Sequence, residues 1–183
     1  PPRYQGMGNA AVSFADDVGA VYYNPAGIAV TYDKERRNNR YFELYGMFDK
    51  PYAGLFDYDG NGITRFQGAA LIPFTYKLGK FFSGSAIALT YQGQSTTVKD
   101  LLSSSSSSEG VGTFTFAKAF DNFPSPGTRL SIGANFSYYM WSIGNDNIFV
   151  QKNSYLNGKT SNGGFGFDFG ANYQINRDMR VAF

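Results

Sequence analysis

Two stretches of this chain alternate strictly between bulky apolar and small or polar residues, each for twelve residues. In Leu130–Trp141, residues Leu130, Ile132, Ala134, Phe136, Tyr138 and Met140 share one face. Ser131, Gly133, Asn135, Ser137, Tyr139 and Trp141 share the other. In Gly164–Ile175, Phe165, Phe167, Phe169, Ala171, Tyr173 and Ile175 alternate with Gly164, Gly166, Asp168, Gly170, Asn172 and Gln174. A period of two belongs to an extended strand with two unlike faces. Length adds a second constraint. Globular strands usually run about 5–6 residues, whereas a tilted strand crossing a bilayer needs about 9–11.

Weaker runs precede these two. Tyr41–Phe48 sets Phe42, Leu44 and Phe48 against Tyr41, Glu43 and Tyr45, and a second run spans about Ile63–Tyr76. Phe82–Tyr91 sets Ile87, Leu89 and Tyr91 against Ala86, Ala88 and Thr90. Val111–Phe120 sets Phe114 and Phe116 against Thr113, Thr115 and Ala117, and Met179–Phe183 opens a seventh strand. A soluble sandwich and a membrane barrel both satisfy such periodicity; the first buries the bulky face and the second turns it to lipid. The connections separate them. Residues 49–62, 94–110 and 142–162 are long, while 77–81, 121–127 and 176–178 are short. Barrels of the outer membrane sort their loops this way, with short periplasmic turns and longer extracellular loops. The pattern predicts an all-β, transmembrane antiparallel barrel, with the serine run Ser103–Ser108 as a mobile loop tip.

Composition agrees. Aromatics make up 18% of the chain and charged residues 16%, against about 25% charged in soluble domains. No run of 18 apolar residues exists, which excludes a transmembrane helix. Without cysteine there is no disulfide or thiolate chemistry, and a net charge of +2 offers no case for nucleic acid. Histidine is absent, and no nucleophile elbow, phosphate loop or carboxylate pair in a convincing context occurs, so the expectation is no enzyme activity. The opening Pro1-Pro2-Arg3 reads as a mature start from which an export signal has been removed.

The N-terminal segment GMGNAAVSFADDVGAVYYNPAGIAV (residues 6–30) is different in kind. Ala11, Phe14, Ala15 and Val18 recur at helical spacing, predicting a short helix that must end by Asn24, before Pro25. Small, apolar and bracketed by glycines, the segment suits a plug packed inside something larger. A helix and turn at the edge of a soluble β domain is the plainer alternative. Asp16-Asp17 followed by Ala20-Val21-Tyr22-Tyr23-Asn24-Pro25-Ala26-Gly27 resembles the N-terminal hatch of the FadL-type outer-membrane transport proteins and their PorV-like relatives. Thr128–Tyr138 (TRLSIGANFSY) and residues 164–183 (GFGFDFGANYQINRDMRVAF) resemble the strand–loop–strand–turn of the same superfamily.

The resemblance implies a barrel of about fourteen strands around an N-terminal hatch in the bacterial outer membrane. Residues 1–40 would be hatch and linker, and 41–183, with about seven strands, the N-terminal half of the barrel. It implies passive uptake of a hydrophobic small molecule, fatty-acid-like or aromatic. Phe14, Val18, Tyr22 and Tyr23 would supply apolar contacts, and Asn24, Pro25 and Ala26 would set the gate. Equally, these residues could simply fill and stabilise the lumen. A different implied role is a non-transporting barrel that docks a secretion or cell-surface complex, its partner an envelope protein rather than a small molecule. An envelope enzyme is a third class, disfavoured by the missing catalytic groups.

Two local features remain. Asp57, Asp59 and Asn61, with Gly62 at the turn, imitate the start of a calcium loop, but the closing bidentate position falls on Gly68. A plain Asp/Gly/Asn turn explains them equally, so no cofactor is expected. Lys34, Glu35, Arg36, Arg37 and Arg40 could meet acidic headgroups or a partner, or form a solvated linker at the rim.

Overall fold

Seven antiparallel strands, each paired with its neighbours in sequence, form one sheet in chain order. The computed structural model describes residues 11–13, 15–31, 42–50, 62–74, 82–100, 103–144, 160–176 and 179–183. The strands are β1 (Glu43–Asp49), β2 (Gly62–Phe74), β3 (Ser85–Asp100), β4 (Ser103–Asp121), β5 (Arg129–Ile143), β6 (Ser161–Gln174) and β7 (Arg180–Ala182). The sheet curls into a half-barrel, and no α-helix occurs among the described residues. Both long alternating stretches are strands, paired so that Phe136 lies opposite Phe167 and Asn135 opposite Asp168. Register therefore stacks like on like: bulky side chains lie beside bulky ones across the sheet, and small beside small. Small residues on one face let neighbouring strands bend toward that face, adding curl to the ordinary twist.

The two faces are inverted relative to a soluble sheet. Outward positions are exposed, with Leu44 at 68%, Phe167 at 65% and Phe169 at 81%. Inward positions beneath residues 11–31 are closed off: Leu71, Thr115 and Ala117 are fully buried, and Ala88, Ser131, Asn135 and Asn172 nearly so. In soluble proteins large apolar side chains are the buried ones. Outside, the rings also pack on each other. Phe136 lies 5.1 Å from Phe167 and 5.4 Å from Phe165 between centroids, and Phe66 stacks on Tyr91 at 4.8 Å.

Residues 11–31 cover the inner face. Two 3-10 segments, Val18–Tyr22 and Pro25–Thr31, lie within the curl and touch strands from β1 to β6. This departs from the single helix expected through Ala11, Phe14, Ala15 and Val18; Phe14 itself lies outside the described residues. Among the described residues of that stretch, one helical bond forms, from Ala15 N to Ala11 O at 2.9 Å. Asp17 then restarts the chain, its Oδ1 accepting from Gly19 N at 2.8 Å as an N-cap. The stop before Pro25 holds, and Pro25 opens the second segment, where its missing N–H costs no bond.

The serine run corrects a second expectation. Residues 94–110 are not a loop, and Ser103–Ser108 is not a loop tip, because β3 and β4 pair continuously to Asp100 opposite Ser103. Sorting by loop length therefore fails at this connection, where the paired ribbon itself is long. Backbone bonds carry the ladder, so pairing continues where neither face is apolar. At the base of this ribbon β4 is also tied to β5, with Ser108 Oγ 2.7 Å from Ser142 Oγ. The charged cluster between residues 34 and 40 lies outside the described residues.

Candidate functional site

Asn24-Pro25-Ala26 sits directly on a pair of glycines. Gly133 of β5 and Gly170 of β6 are opposite each other. A Cβ on Gly133 would stand 2.5 Å from Ala26 N, and one on Gly170 would stand 2.8 Å from Pro25 Cδ and collide with Asn24 Oδ1. Only glycine lets the backbone of the covering segment approach the sheet this closely. Asn24 is 1% exposed. Its Nδ2 donates to Ala171 O at 2.9 Å, while its Oδ1 accepts from Ala26 N at 3.0 Å. One side chain thus fixes the local turn and ties it to β6.

Sheet side chains also satisfy backbone carbonyls of the covering segment, which a buried irregular chain requires. Asn135 Nδ2 donates to Val21 O at 2.9 Å, and its Oδ1 accepts from Thr115 Oγ1 at 2.7 Å. Arg129 Nη2 donates to Ala29 O at 3.3 Å, its Nε lying 3.2 Å from Asp121 Oδ1. Asn172 and Arg180 each donate to Ser13 O at 3.4 Å. In the other direction, Val18 N donates to Glu43 Oε2 at 3.3 Å.

Of the expected gate residues, Val18, Asn24, Pro25 and Ala26 are buried together, and Tyr22 and Tyr23 are half-buried. Val18 and Tyr23 pack with Val21, Ile28 and Leu71 in the apolar cluster under the sheet. Tyr22 Oη is buried with no hydrogen-bond partner among the described residues. The calcium-like residues Asp57, Asp59 and Asn61 lie outside the described residues.

Sequence reasoning missed a pocket of about 490 Å³ on the same inner face. The last covered row there is Ala69, Thr90, Thr113 and Ser137. The next row, on the side of connections 50–61 and 145–159, is Met47, Gln67, Gln92, Val111 and Tyr139. One row further come Arg65, Gln94, Glu109 and Trp141, where Arg65 Nε donates to Gln94 Oε1 at 2.9 Å. All of these line the pocket except the covered row. Alternation alone assigns each to the inner face, but only register puts residues of five strands in one row.

No protein-family model, curated protein or solved structure matches this chain.

Proposed function

We propose that this chain forms part of an outer-membrane β-barrel for passive uptake of hydrophobic small molecules, with residues 11–31 as its hatch. The observation that carries the reading is the inversion of the faces: exposed aromatic positions outside, buried small and polar positions inside. Outward positions of β1, β2, β5 and β6 carry no charged side chain. From Leu130 to Met140 the outward apolar row covers ten residue steps, about 34 Å along the strand. At the tilt of such barrels, about 35–45°, this projects to about 25 Å, the height of their apolar band. On β4 the outward Lys118 lies at one end of the band. Its ammonium is 5.7 Å from the Phe120 ring centroid and 3.5 Å from Ser83 O, a geometry suited to reaching an interface. Strands β1 and β7 are the edges of the sheet, so a membrane setting needs further strands to close the ring.

In this reading a ligand enters from the side of connections 50–61 and 145–159 and rests in the pocket, whose volume is ordinary for a small-molecule site. Passage then needs Asn24-Pro25-Ala26 to lift from Gly133 and Gly170. Ties to the carbonyls of Ser13, Val21 and Ala29 favour a second reading, a permanently plugged barrel that docks an envelope complex. The combined variant Asn24→Ala, Pro25→Ala separates them. Strand pairing rather than the hatch holds the sheet, so the barrel should assemble normally. Altered uptake of an apolar compound supports the gate. Normal uptake together with lost co-purification of a large envelope partner overturns it in favour of docking.

A further inference from the structure

Resting on that uptake reading, we infer that the pocket beside the hatch selects neutral, ring-bearing molecules with an amide or hydroxyl edge and discriminates against carboxylates. Its polar wall is mostly carboxamide. Gln67 and Gln92 are directly opposite each other on β2 and β3, and Gln94 follows one row on. Each carboxamide offers both a donor and an acceptor, which an uncharged amide or alcohol matches and a carboxylate, an acceptor only, does not.

The charges point the same way. Among the described residues that line the pocket, Arg65 is the one basic group, and its Nε donates to Gln94 Oε1 at 2.9 Å. It lies opposite Asp49 on one side, while on the other Gln94 lies opposite Glu109. Among the described residues of this row, one cation thus stands with two carboxylates, Glu109 in the pocket lining and Asp49 beside it. An anionic ligand that reaches the Arg65 guanidinium must do so in a row that also carries Glu109 and Asp49, whereas a neutral amide or alcohol meets no such repulsion.

The remaining wall suits a flat ring. Tyr139 and Trp141 are two residues apart on the same face of β5, with Met47 and Val111 completing the apolar part. Opposite Tyr139 stands Gly164, where a Cβ would meet nothing within 4 Å. That open space beside two aromatic side chains accommodates a stacked ring.

Trp141 is the single tryptophan of the 183 residues, so its fluorescence reports on the pocket. The test uses the isolated protein in lipid nanodiscs, titrated with phenylacetamide and, separately, phenylacetate at neutral pH, with Trp141→Phe as the signal control. Phenylacetamide should bind about tenfold more tightly than phenylacetate, the scale of one unit charge about 10 Å away at an effective dielectric of about 20. Joint Gln67→Leu and Gln92→Leu should weaken phenylacetamide about tenfold by removing two hydrogen bonds. Glu109→Gln, which removes charge at constant size, should narrow the amide-to-carboxylate ratio at least threefold. Equal or tighter binding of phenylacetate, or no Trp141-dependent signal from either probe at millimolar concentration, overturns the inference. That failure is distinct from failure of the uptake reading: a gate phenotype in Asn24→Ala, Pro25→Ala would stand without it, and amide-selective binding would stand with normal uptake.

Discussion

Replacing Gly170 by alanine should loosen residues 11–31 from the inner face while leaving the sheet paired. The added methyl carbon would collide with Asn24 Oδ1 and stand 2.8 Å from Pro25 Cδ. Neither neighbour is the free end of a flexible chain. Asn24 is anchored to Ala171 O and to Ala26 N, and Pro25 is a ring fixed to the backbone. Overpacking of this kind costs about 1–3 kcal/mol. Relief by lifting the turn would instead break the Asn24–Ala171 bond in a buried place, at a similar cost of about 1–3 kcal/mol. Either way the closed seat loses about 1–3 kcal/mol, or roughly a 5- to 150-fold rise in the open population of the covering segment. Hydrogen exchange read by mass spectrometry measures it at the amides of Asn24 and Gly27, which donate to Ala20 O at 2.8 Å and to Asn24 O at 2.9 Å. The control is Gly164→Ala, on the same face of the same strand, where a Cβ meets nothing within 4 Å. The Asn24 and Gly27 amides should lose protection in Gly170→Ala and keep it in Gly164→Ala, and strand amides of β5 should be unaffected in both. Equal protection in the two variants would refute the close-packed seat.

Two other substitutions test the faces. Phe167→Arg should destabilise the protein in bilayers by about 2–4 kcal/mol, the cost of a charge near the midplane of a barrel, measured by urea titration of the protein folded into lipid vesicles; no loss of stability would contradict a lipid-facing position. Asn135→Leu removes the donor to Val21 O and the acceptor for Thr115 Oγ1. Leaving two buried groups unsatisfied should cost about 2–4 kcal/mol, against little change for Asn162→Leu at an exposed inward position of β6, read in the same titration.

Face assignment was legible because it needs only parity. Once Phe114, Phe136 and Phe167 are taken as outward, every second residue follows, and the pairing of Phe114 with Phe136 and of Phe136 with Phe167 agrees. The extent of β3 and β4 was not legible. In Gln94–Thr97 and Ser103–Ser108 both faces are polar, so alternation has no contrast to report, while the backbone ladder runs on regardless. Alternation put the polar residues Ser137 and Asn135 on the small face without naming their partners; both are buried, their groups bonded to Thr113 Oγ1 at 2.9 Å and to Val21 O at 2.9 Å. Polarity says that a partner is needed, not that the partner is water. The turn at Asn24-Pro25 was readable from local chemistry alone. Its glycine seat was not, because Gly133 and Gly170 mean nothing together until β5 and β6 are placed in register. The same holds for the pocket, whose two rows draw on β1 to β5.

The central claim is that the bulky face meets lipid. Spin labels placed singly along β5 and β6 of the protein in bilayers test it most directly, by comparing relaxation by oxygen, which concentrates in hydrocarbon, with relaxation by a water-soluble nickel chelate. Labels at the outward positions 132, 134, 136, 167 and 169 should respond to oxygen and be shielded from nickel. Labels at the inward, less covered positions 139, 141 and 164 should show the reverse, giving a period of two along each strand. Outward labels that respond to nickel as strongly as the inward ones would contradict the membrane setting and the uptake reading that rests on it.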